Sequence, residues 1–182
     1  MADFDPAFDR TIQNEGGYRL VNVPADKGGQ TYAGIARNYH PNWPGWRYID
    51  AGDMQNLELS ALVRGFYRDE FWEKISGDAI ASQMIAEAIF DFAVNAGVGV
   101  AAKLAQIVVG ATPDGRIGPI TLSKLNAMDE GIFVLKYAIA KITRYANICN
   151  KDRSQGKFLL GWINRTLRGL SWAGISLVSS VC

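Results

Sequence analysis

From about Met54 to Leu167, apolar side chains recur every three or four positions, and no other feature of this chain restricts its fold as strongly. Between Met54 and Ile75 the series runs Leu57, Leu59, Leu62, Val63, Phe66, Tyr67, Phe71 and Trp72. That spacing places the apolar groups along one side of an α-helix. The same period continues over 78–96, 100–109, 120–127, 130–150 and 158–167, broken by Gly97-Val98-Gly99 and by the turn-rich stretch GATPDGRIGP. At the N-terminus, Phe4, Phe8 and Ile12 share a face, Asp5-Pro6 suits a helix start, and Gly16-Gly17 stops the helix. The fold class expected is mainly α, in two packed lobes, with a small β-hairpin near residues 18–30 closing at Asp26-Lys27-Gly28-Gly29. Thr31 is expected to cap a further helix over YAGIARNY.

A chain of 182 residues with 48% hydrophobic composition is long enough to bury a core. Its 19 basic and 18 acidic residues nearly cancel, which argues against a dedicated nucleic-acid binder. Two cysteines, Cys149 and Cys182, give neither a zinc knuckle nor a disulfide framework. His40 is the single histidine, so neither a His-rich metal site nor a serine or cysteine triad is indicated, and no metal or cofactor is called for. Whatever chemistry the chain performs falls to carboxylates. The first ten residues carry no apolar run of the kind that opens a secretory signal. The apolar tail at 171–182 falls short of the roughly 20 residues a membrane span needs.

In the stretch QNEGGY, Glu15 ends the first helix, where a carboxylate opposes the negative end of the helix dipole and gains nothing structurally. Asp26 follows eleven residues on, in a glycine-rich turn, and Thr31 five after that. Glycosidic cleavage needs such parts. One carboxyl protonates the leaving oxygen, a second carboxylate activates water or stabilises the oxocarbenium-like transition state, and a hydroxyl holds the water in line. Inversion or retention turns on the separation of the carboxyls and stays open at this stage. Glu87, Asp91 and Asn95 lie four apart on one helix face. Asp91 and Asn95 either line the cleft floor, bonding substrate or orienting Glu15, or join a structural network; Glu87 reads as structural. Tyr18, Trp43 and Trp46 are candidates to stack on sugar rings, whereas Trp72, Trp162 and Trp172 read as core.

The run QNEGGYRLVNVPADKGGQTYAGIA resembles the start of the glycoside hydrolase family 108 lysozymes, phage and prophage muramidases whose pattern is roughly E-G-G-Y followed by N-D-P-x-D-x-G-G-x-T-x-x-G-I. FDFAVNAGVGVAAKLAQIVVG, DGRIGPITL and FLLGWINR resemble the family's C-terminal, peptidoglycan-binding part. The resemblance runs from Phe8 to Arg168. It implies a lysozyme-like fold, with a catalytic lobe over 1–80, a helical peptidoglycan-binding lobe over 81–170 and a tail at 171–182. It also implies that Glu15 is the catalytic acid, and that the β-1,4 bond between N-acetylmuramic acid and N-acetylglucosamine is cut. The order Glu, Asp, Thr is similar to the catalytic set of inverting phage lysozymes, which carries Asp26 and Thr31 into the site. One departure is Val23, where the family has an aspartate. Two alternatives stay open: a lytic transglycosylase using Glu15 alone, and a non-catalytic wall-binding or secretion-linked protein. The partner expected is the peptidoglycan glycan strand, met by a monomer with no nucleic acid and no stable membrane insertion. The protein is expected to be made in the cytoplasm and to act on the wall after holin-type release or export.

Overall fold

A computed structural model describes residues 1–22, 28–172 and 174. Among these the chain is mainly helical, with one small antiparallel sheet. Helix α1 spans Phe4–Asn14 and starts at Asp3, whose side chain accepts from the Asp5 N–H. The cap therefore sits two residues before the Asp5 that the sequence suggests. Phe4, Ala7, Phe8, Thr11 and Ile12 form its buried face. Gly16 and Gly17 end it at φ +89° and +73°, where only glycine is free of strain, and the Gly17 N–H returns to the Ile12 carbonyl at 2.9 Å.

The chain then turns into the sheet. β1 (Leu20–Asn22) pairs antiparallel with β2 (Gln30–Tyr32), and β2 with β3 (Ile35–Ala36), with Thr31 opposite Val21 and Ala36. The hairpin expected at 18–30 is present, but the helix expected after Thr31 is not. A two-residue turn of type I′ between antiparallel strands needs positive φ at both positions. Ala33 and Gly34 supply it at 47° and 79°, which turns the chain back into β3 before a helix can begin. Thr31 is thus a strand residue whose hydroxyl donates to the Gly29 carbonyl at 3.2 Å.

Helix α2 (Trp46–Asp50) leads to α3 (Leu57–Tyr67), which runs on as a π-helical turn over Arg68–Trp72 and a 3₁₀ turn over Glu73–Ile75. α4 (Gln83–Ala96) is capped by Ser82, whose hydroxyl accepts from the Ile85 N–H, and not by Asp78. Asp78 lies in a short 3₁₀ turn, where Arg68 and the Trp72 indole N–H, the latter at 2.7 Å, engage it. α5 (Val98–Val109), α6 (Pro119–Asn126), α7 (Glu130–Lys151) and α8 (Gly156–Trp172) complete the order.

α4 is the spine of the core. Residues two apart on a helix point in roughly opposite directions. Phe90 accordingly joins Phe4 and Trp72 on one side, with ring centroids 5.9 and 5.6 Å away. Phe92 faces the other way, onto Tyr137 and Tyr145 of α7 at 5.8 and 6.4 Å. Tyr145 in turn stacks on Trp162 of α8 at 5.1 Å. A continuous set of buried side chains thus reaches from α1 to α8. No helix among the described residues is long and apolar enough to cross a membrane.

Candidate active site

Three helices bring the site together. Glu15 caps the C-terminal end of α1, Asp91 lies in the third turn of α4, and Arg165 lies midway along α8. Nη1 of Arg165 donates to Glu15 Oε1 at 2.9 Å. Its other edge grips Asp91: Nη2 reaches Oδ1 at 2.9 Å and Nε reaches Oδ2 at 3.3 Å. Asn14, the residue before Glu15, donates its amide to the same Asp91 Oδ1 at 2.9 Å. The three charged side chains are 24%, 15% and 14% exposed for Glu15, Asp91 and Arg165, so water screens their attraction weakly. Burial works against the Arg165 cation; Asp91 and then Glu15 more than offset it and raise its pKa above the usual value.

The Ala33–Gly34 turn lies against the stem of the same side chain. A Cβ on Gly34 would strike the Tyr67 hydroxyl and come within 3.5 Å of Glu15 Cβ and Cγ. Tyr67, on α3, donates to the Ala33 carbonyl at 2.9 Å. Its phenol is held protonated far above the ordinary range, first by burial and next by the nearby Glu15 charge. Glu15 is therefore placed at the end of α1, against the β2–β3 turn that Tyr67 holds, and bonded to α8.

Behind Asp91 lies a cavity of about 40 Å³, lined by Thr11, Glu87, Asp91, Tyr137, Lys141 and Thr166 among others. Lys141 is 7% exposed and sits over the rings of Phe92 and Tyr137 at 5.4 and 5.2 Å. Desolvation brings its pKa down to about 8, with Asp91 pulling the other way.

The remaining sequence candidates fall as follows. Asp26 lies outside the described residues. Thr31 is half-buried in β2 beside Tyr32. Tyr18 follows the two glycines 44% exposed, its ring 6.4 Å from that of Tyr32, and burial raises its phenol pKa. Asn95 is exposed, one turn beyond Asp91 on α4. Glu87 joins Arg10 and Gln83 in a structural network. Trp43 and Trp46 are 9% and 5% exposed and spend their faces inside the protein. Trp43 packs on Tyr32 and Trp46; Arg37 lies over Trp46, whose indole N–H donates to the His40 carbonyl at 2.7 Å.

Arg165, Tyr67 and Lys141 enter the site without having been singled out from the sequence. Arg165 had a signal, since it is the last residue of FLLGWINR. Tyr67 and Lys141 had none, being apolar-face positions in long helical runs. In the C-terminal half, DGRIGP leads directly into α6. α6 starts at Gly118-Pro119, and Thr121 is buried. The loop is organised instead by buried Gln106, whose amide donates to Asp114 Oδ1, the Arg116 carbonyl and the Thr121 hydroxyl, while its oxygen accepts from the Gly115 N–H at 2.9 Å. These bonds, first that from Gln106, hold the Asp114 pKa below the usual value.

Comparison with known proteins covers both halves of the chain. Residues 8–97 match the family model Glycosyl hydrolase 108, and residues 100–167 match the Predicted Peptidoglycan domain. A solved structure of Brucella abortus SagA is similar to 98% of this chain over 98% of its own, with 28% identity and a TM-score of 0.71. No curated protein matches significantly. The chain, with Glu15 in the first matched region and Arg165 in the second, belongs to the glycosyl hydrolase 108 family and is a peptidoglycan hydrolase.

Proposed function

We propose that the protein is an N-acetylmuramidase that cuts the β-1,4 bond between N-acetylmuramic acid and N-acetylglucosamine, with Glu15 as the proton donor. The observation that supports this best is the carboxyl of Glu15. It is partly exposed, lies against the β2–β3 turn, and is linked through one oxygen to a largely buried guanidinium. A carboxyl serving only to end a helix would need none of these contacts. In this reading protonated Glu15 delivers its proton to the bridging sugar oxygen as the C–O bond breaks, and charge develops on the anomeric carbon. Asp26 is the second carboxylate and activates or orients water, which adds to that carbon. Thr31 holds the water in line. Tyr18, 44% exposed, is the aromatic wall of a sugar subsite, and Asn95 is a polar group along the glycan's path. The enzyme works as a monomer on the glycan strand, reaching the wall by release or export.

The test is mass spectrometry of fragments released from purified sacculi. The wild type is expected to yield muropeptides one water heavier than the glycosidic linkage they came from, and Glu15→Gln to yield none. Release of anhydro-muramyl products would replace this reading with intramolecular transglycosylation. Release of nothing by the wild type would reduce the protein to a wall-binding module.

A further inference from the structure

We infer that Asp91 and Arg165 are positioning residues that together set how readily Glu15 holds its proton, with Asp91 drawing off part of the Arg165 charge and Arg165 delivering the remainder to the acid. The inference rests on the reading of Glu15 as proton donor.

The guanidinium is a planar fork of fixed geometry. Asp91 occupies the Nε–Nη2 edge through two contacts and accepts a third, at 3.4 Å, on its own carbonyl. That fixes the plane and leaves Nη1 as the nitrogen that reaches Glu15. Held by Oε1, the acid keeps Oε2 without a hydrogen bond to any described residue, so Oε2 is the oxygen available to a glycosidic oxygen. A lysine could not reproduce this arrangement, because one ammonium cannot grip Asp91 along an edge and also reach Glu15.

Charge count makes the arrangement functional rather than only structural. An uncompensated cation 2.9 Å from Glu15 would hold the carboxyl ionised and unable to donate. Asp91 on the opposite edge, also 2.9 Å away, draws on the same cation. Two carboxylates share one guanidinium, and Lys141, in the cavity behind Asp91, is a further cation that draws on Asp91. Other charged or titratable groups face this cluster: Tyr67 from α3, Lys141, Tyr137 and Tyr145 from α7, and Tyr18 by way of Tyr67. The tyrosines stay neutral through the working range, each raised by burial, so below about pH 8 the charges set around Glu15 are Asp91, Arg165 and Lys141, with the Arg10–Glu87 ion pair along the same cavity. Because Asp91 belongs to one matched region and Arg165 to the other, the acid is tuned by both halves of the chain.

The experiment is the pH dependence of kcat/KM on sacculi for the full chain and its variants. Activity falls on the alkaline side as the donor loses its proton. Removing the cation in Arg165→Met makes the proton harder to lose, so the alkaline limb moves up by about one pH unit. Removing the compensating anion in Asp91→Asn exposes Glu15 to the whole Arg165 charge, so the limb moves down. Arg165→Lys keeps the limb near wild type but lowers kcat/KM about 10- to 100-fold through lost orientation. A purely structural pair would lower activity without moving the limb. Unmoved limbs in both Arg165→Met and Asp91→Asn, or movement in the same direction, overturn the inference. If Arg165→Met does not fold, Asp91→Asn decides it: a downward shift supports the inference and an unmoved limb sinks it. Loss of activity in Glu15→Gln together with unmoved limbs rejects this inference while leaving the proposed function standing; activity retained in Glu15→Gln rejects the proposed function itself.

Discussion

At Gly34 the backbone has φ +79°, and the space a Cβ would take is filled by the Tyr67 hydroxyl on one side and bordered by Glu15 on the other. Gly17, at φ +73°, has open space where its Cβ would be. The two positions therefore separate backbone strain from collision. Gly17→Ala is expected to lower stability by about 1 kcal/mol, the cost of an alanine in the left-handed region. Gly34→Ala adds the displacement of Tyr67 and is expected to cost about 2–4 kcal/mol, with a loss of hydrolysis that exceeds the fraction unfolded. Denaturant titration beside sacculus turnover measures both. The glycine pair ending α1 is readable in sequence because its reason is local. Gly34 lies in the same resembling stretch, but its neighbour Tyr67 is 33 positions away, and nothing in the spacing joins them.

Among the elements, α4 does most to tie the molecule together, since Phe90 and Phe92 face two different aromatic groups. Phe92→Ala is expected to lower stability by about 3–5 kcal/mol, as a fully buried ring is lost and its space is only partly refilled. Because Phe92 packs on α7, the same change should loosen α7 and α8, seen as faster amide exchange there than in α1 and α3. The helical elements were legible because apolar periodicity is written into them residue by residue. The segment after Thr31 was not. Its helix-like pattern loses to a two-residue turn that is closed by strand pairing and by the Tyr67 bond to Ala33, and the latter comes from outside the segment. Trp43 and Trp46 illustrate the same limit, since composition shows that a loop is aromatic but not which way its rings face.

For the molecule as a whole, buried Lys141 gives a signed dependence of stability on pH. Its folded pKa is about 8 against an ordinary 10.5, so in the folded state the proton is held less tightly than in the unfolded one. Below about pH 8 the charged form is present in both states and its burial is a full penalty. Between about 8 and 10.5 the unfolded state binds more protons, and stability rises with pH by up to roughly 3 kcal/mol. Tyr67 and Tyr137 act in the opposite sense: their folded pKa values are raised by burial, so above pH 10 the unfolded state alone ionises and stability falls. Thermal unfolding should thus show stability that rises from about pH 8 to a maximum near pH 10. Lys141→Met should be more stable than wild type at pH 7 and should lack the rise.

The sequence by itself determined the helical class, the break after α1 with Glu15 beside it, the hairpin that follows and the family to which both halves are matched, because each is encoded in neighbouring residues or in motifs that keep their spacing. Tertiary structure alone decided that Arg165 crosses 150 positions to meet Glu15, that Asp91 holds it there, that Tyr67 holds the turn against the acid's stem and that Lys141 is buried behind them. Electrostatic and steric contacts depend on distance in space, and for groups this far apart along the chain only the packing of α1, α3, α4, α7 and α8 sets that distance.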